Sequence, residues 1–118
     1  MTPDELRGAL ASFTGTENYY AHMSGLHYTD GVAFLAENAG AYWLIDLIAS
    51  WQKRARKDPM LREFQLWELR VTGREADAIC FRDTNDEAFR QHIPFTDFPL
   101  SEVKLYLENE VLMLPGEH

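Results

Sequence analysis

The sequence predicts an α+β fold in which N-terminal helices pack on a C-terminal antiparallel sheet of three to five strands. Three observations lead there. Apolar residues in the first half recur at helical spacing. After Glu63 they recur every second residue. A basic stretch separates the two regimes. The chain has 118 residues, 46% of them hydrophobic, which is enough for one core and too little for two, so residues 1–118 are read as a single domain.

Thr2-Pro3-Asp4-Glu5 predicts the first helix start. Thr2 can cap free amides, Pro3 suits the first turn, and Glu5 stands at capping-box spacing. Leu6 and Leu10 give this helix a thin apolar stripe, and Gly15 closes the region. Residues 16–28 have no clean period and read as an aromatic-rich loop or a short extended segment. Thr29-Asp30 predicts the next cap, with Val32, Leu35 and Ala36 on one face and Asn38 or Gly40 as terminators. Ala41 to Arg54 carries the strongest helical pattern, because Leu44, Leu47, Ile48 and Trp51 follow one buried stripe. Lys53, Arg54, Arg56 and Lys57 follow at the end where positive charge opposes the helix dipole, and Pro59 is expected to end the helix.

Trp67, Leu69 and Val71 alternate with Glu68 and Arg70, the twofold period of a strand. Residues 76–82 and 87–93 alternate likewise, and Thr72-Gly73 and 83–86 supply polar turns, so an antiparallel meander is expected. Residues 100–108 admit either a helix capped by Ser101 or a strand. The preferred reading is a hairpin about Asn109 that pairs residues 104–108 with 110–114.

The formal charge is −8, and its distribution says more than its total. Residues 1–50 and 63–118 are acidic, whereas residues 51–62 hold five bases and one acid. The overall field opposes non-specific nucleic-acid binding, and a basic partner or a nucleic-acid-binding protein surface is favoured. No apolar run approaches the roughly 20 residues that span a bilayer. The N-terminus lacks the basic and apolar regions of a signal peptide, so a cytoplasmic setting is expected and no membrane partner. Cys80 is the single cysteine, which excludes an intrachain disulfide and a multi-cysteine metal knuckle.

The chemical candidates are few. His22 and His27 stand five residues apart and lack the paired pattern of a metal site, so no metal is expected. Cys80 and His92 share strand parity, which would allow a thiol–imidazole pair if their strands were neighbours. Paired carboxylates are another enzymatic option, but nineteen acids give no basis for choosing two. No glycine-rich phosphate loop occurs, and no cofactor is expected. The cations Lys53, Arg54, Arg56, Lys57 and Arg62 could grip phosphate, bind an acidic protein surface, or serve as a helix terminus. Tyr19, Tyr20, Tyr28 and Tyr42 exceed what a small core hides easily, and tyrosine is enriched at interfaces. Tyr19, Tyr20, Tyr28 and the five cations are the predicted interaction residues.

Phe13-Thr-Gly-Thr-Glu17, Tyr28-Thr-Asp-Gly31 and Gly40 to Ser50 resemble a family of small proteins of phages, prophages and plasmids. Phe95 to Pro99 and Val111 to Pro115 fit the same set, so the resemblance spans roughly residues 13–116. That family has no assigned activity, so the resemblance carries over no catalytic residue. It implies a mobile-element setting, where small acidic proteins bind host proteins that include nucleic-acid-handling defence complexes. Similar proteins carry Asn-Gly where this chain has Asn109-Glu110.

The expected function is therefore a non-enzymatic protein-interaction module that inhibits or modulates a host nucleic-acid-handling or defence complex. Its partner would be a host or phage protein, with self-association also open. The alternatives are a small enzyme using Cys80, His92 or paired carboxylates, and nucleic-acid binding through residues 53–62.

Overall fold

Capping rules set the helices in this computed structural model, which describes residues 1–118. Helix α1 (Pro3–Ala11) starts in a full capping box: the Thr2 hydroxyl accepts from the Glu5 amide at 3.1 Å, and the Glu5 carboxylate accepts from the Thr2 amide at 3.0 Å. Helix α2 (Asp30–Ala39) is capped by the Thr29 hydroxyl and ends at Gly40, whose φ of 59° suits a residue without a side chain. The Ala41 amide returns to the Ala36 carbonyl at 2.9 Å, and this turns the chain into α3 (Tyr42–Ala55). Helix α3 buries Leu44, Leu47 and Ile48 in the core, each worth roughly 1.5–3 kcal/mol when fully buried. Pro59 does not end α3, which has already stopped at Ala55. It opens a fourth helix, α4 (Pro59–Glu63), whose cap Asp58 accepts from the Met60 amide at 2.9 Å.

The expected division into a helical N-terminal half and a sheet of three to five antiparallel strands is overturned. Two strands, β1 (Tyr19–Ala21) and β2 (His27–Thr29), lie between α1 and α2. They are followed by β3 (Phe64–Thr72), β4 (Glu75–Asp83), β5 (Asp86–Ile93), β6 (Glu102–Glu108) and β7 (Val111–Met113). All seven form one sheet in the order β1-β2-β7-β6-β3-β4-β5. It is mixed, because β2 runs parallel to β7 with His27 opposite Val111 and Tyr28 opposite Leu112. Helices and strands are thus interspersed along the chain. The first two strands span three residues each, too few to show a period. Their order comes from ladder bonds to distant residues, such as His27 N–H to the Glu110 carbonyl at 2.9 Å.

Strands β3, β4 and β5 form the antiparallel meander, and residues 102–108 are strand, not helix. The β6–β7 hairpin turns on Asn109 (φ 53°) and Glu110 (φ 63°), the double positive φ of a tight hairpin turn.

One sheet face meets the helices. Trp67, Leu69, Ala78, Cys80, Leu105 and Leu112 join residues of all four helices in a single core. The opposite face is not covered by that core. There Ile79 (0% exposed) and Phe81 (7%) are roofed by longer side chains, with the Arg70 guanidinium 5.7 Å from the Phe81 ring centre. Glu68, nearly buried on this face, is held by Arg70 at 2.6 Å and approached by Lys104 at 3.7 Å. The last residues form a short 3-10 turn, Pro115–Glu117. No helix is long and apolar enough to cross a membrane.

Candidate interaction surface

The predicted tyrosines divide between the two sides of the β1–β2 hairpin. Tyr20 and Tyr28 are cross-strand partners whose rings stack with centres 5.5 Å apart. Tyr42, at the start of α3, lies within electrostatic range of both and donates to Glu37 at 3.2 Å. Tyr19 points to the other side and lines a shallow cavity with Val111, Met113 and Glu117. Tyr19, Tyr20 and Tyr42 stay exposed, as does Met23 at the hairpin tip.

Carboxylates hold this surface in place. Asp30 accepts four bonds: from the Glu17 amide at 2.9 Å, the Asn18 amide and side chain at 3.2 Å each, and the Tyr20 hydroxyl at 2.9 Å. The Glu17 amide is the largest of these influences, and together they pull the Asp30 pKa down to about 2. The bond to Asp30 in turn raises the Tyr20 phenol above its ordinary value. His22 links β1 to α3, with Nε2 2.7 Å from Asp46 and Nδ1 2.8 Å from Ser24. His27, the other member of the considered metal pair, is exposed on β2 and shares none of these contacts.

The basic joint divides between two clefts. Arg56 and Arg62 line one of about 450 Å³, with Gln52, Gln65, Asn109 and Glu110. Arg54 and Lys57 line another of about 520 Å³, with Asp58, Arg82 and Phe89. Only Arg56 of the five predicted cations makes an ion pair, to Glu110 at 2.6 Å. Lys53, Arg54, Lys57 and Arg62 form none, and Arg54 lies 5.2 Å from the Trp51 ring. The Arg82 guanidinium, not singled out in the sequence, donates to Asp58 at 2.6 Å and lowers that carboxyl's pKa.

Two further residues escaped sequence reasoning. Gln52 and Gln65 form a buried reciprocal amide pair, at 2.9 and 2.7 Å, between α3 and β3. Polar residues inside an apolar pattern were the available signal.

The thiol–imidazole pair does not exist. Cys80 lies opposite Phe89, whereas His92 lies opposite Asp77, so the two point to opposite sheet faces. Cys80 is wholly buried, and burial pushes its thiol up to about 12. His92 instead bridges Asp77 and Glu75 at 3.0 Å each on the uncovered face, and those carboxylates raise its pKa.

These elements define a class: a mixed seven-stranded sheet with four helices packed on one face. The chain belongs to the family of unknown function DUF6876, whose model matches residues 4–118. No curated protein and no solved structure matches it.

Proposed function

We propose that this chain is a non-enzymatic protein-interaction module whose contact surface is the tyrosine cluster of the β1–β2 hairpin and α3. The observation that carries the reading is the stacked Tyr20–Tyr28 pair beside Tyr42, in which Asp30 holds the Tyr20 hydroxyl while the Tyr20 and Tyr42 rings stay exposed. Rigid aromatic rings with a polar tip give large contact area at low entropic cost. The hairpin is also a sheet edge, where main-chain groups can add to side-chain contacts. The enzymatic alternative loses its motivating pair, because Cys80 and His92 face apart.

The partner class is a host or phage protein of a nucleic-acid-handling or defence complex, in keeping with the mobile-element resemblance and the net charge of −8. Co-purification from bacterial lysate at moderate salt tests this. A partner retained by the wild type and lost from the Tyr20→Ala/Tyr42→Ala variant supports the reading. No enrichment over a charge-matched control protein counts against it. Direct nucleic-acid binding remains a second reading because four cations of the basic joint are unpaired. A titration with DNA and RNA that stays flat at low salt removes it.

A further inference from the structure

We propose that the cleft between α3, α4 and the β6–β7 turn binds a small hydroxy- or amino-carboxylate, and that Glu110 fills its anion position in the free protein. The inference does not rest on the tyrosine surface, which is built from other residues.

The first observation is the backbone of Glu110. Its φ of 63° lies in the left-handed region that favours glycine, in the second central position of a tight hairpin turn. A glutamate there is held against its backbone preference, and such outliers point to a role. Its carboxylate reaches Arg56 at 2.6 Å. The two side chains are 58% and 44% exposed, so water reaches the pair and exchange with another carboxylate is open.

The second observation is an excess of cation. Arg62 donates through Nε to the Arg56 carbonyl at 3.1 Å and makes no ion pair. Arg56 and Arg62 line the cleft against one carboxylate, which leaves one positive charge for a ligand. Guanidinium groups hold carboxylates in a bidentate manner.

The third observation is an acceptor. In the Gln52–Gln65 pair, the Gln65 carbonyl accepts from Gln52 and from the Trp67 indole, and is filled. Both amide hydrogens of each glutamine are used. The Gln52 carbonyl accepts only from Gln65, at 2.7 Å, in a residue 5% exposed that lines the cleft. One lone pair remains for a ligand N–H or O–H. Two guanidiniums beside a carbonyl acceptor match a carboxylate with a donor on the adjacent carbon. The cleft volume of about 450 Å³ lies within the usual range for small-molecule sites.

Citrate, a hydroxycarboxylate, is the probe, and the Trp67 indole and Gln52 amide NMR signals are the readout. Citrate should shift both signals in the wild type, in the millimolar range. Glu110→Gly suits the turn, so folding is retained, and it should bind about 2–5-fold more tightly once the internal competitor is gone. Arg56→Ala should bind about tenfold more weakly. The proposal is overturned by absent shifts in the Glu110→Gly variant at low salt, or by undiminished binding in Arg56→Ala. Equal affinity in wild type and Glu110→Gly overturns the role of Glu110. Equal binding of inorganic phosphate overturns the carboxylate assignment.

Discussion

The Glu117 carboxylate accepts the Gly31 amide at 3.1 Å, joining the last turn of the chain to the first turn of α2, 86 residues earlier. The same carboxylate accepts from the Thr29 hydroxyl at 2.7 Å and from the Leu114 amide at 3.0 Å. A helix N-terminus has unpaired amides and a positive dipole end, so an anion is well placed there.

Glu117→Ala leaves the Gly31 amide without its partner and should cost about 1–2 kcal/mol. Gly31→Ala fails differently. Its new Cβ would stand 2.5 Å from the Glu117 carboxylate and 2.7 Å from the buried Leu114 side chain. The loss should be about 1–3 kcal/mol. Urea denaturation midpoints measure both, and wild-type values would refute the clamp.

Asp30 makes the β1 region sensitive to acid. Its folded pKa of about 2 is below its unfolded value near about 3.9, so its stabilisation is complete above the latter and is lost as pH falls through the former. The Glu17 and Asn18 amide signals should therefore move together as pH falls through about 2. Asp30→Asn should abolish that titration.

His92 has the opposite sign. Asp77 first, and then Glu75, raise its pKa above the ordinary imidazole value. The contact is fully favourable below that ordinary value and is lost as pH rises through the raised one. An NMR titration should place the His92 midpoint above about 6.5, and Asp77→Asn should bring it down. An unchanged midpoint in the variant would show that Asp77 does not hold the ring.

Cys80 should be inert in the native state. A thiol at about 12 with no exposed surface offers no thiolate to a disulfide reagent. Labelling in increasing urea should track the unfolded fraction. Labelling without denaturant would mean that strand β4 opens locally.

The parts legible in the sequence are those governed by neighbours. Thr2, Glu5, Thr29 and Gly40 act as caps because their side chains or φ angles serve amides and carbonyls within one turn. The α3 stripe and the β3–β5 alternation are equally local. Asp58-Pro59 is a helix start and a helix stop by the same local chemistry, so it was read the wrong way round. Strand parity failed for Cys80 and His92 because faces depend on register across the turn. With Asp83 paired to Asp86 around a two-residue loop, residues of equal parity fall on opposite faces. The clefts, the Asp30 hub and the Glu110–Arg56 pair join residues distant in sequence, and no spacing encodes them.

The parallel pairing of β2 with β7 also orders events during synthesis. The hairpin of residues 19–29 has no sheet to join until residues 111–113 leave the ribosome. A nascent chain stalled before that point would display its aromatic hairpin on an unfinished scaffold, so acquisition of the tyrosine surface is postponed until β7 has been made.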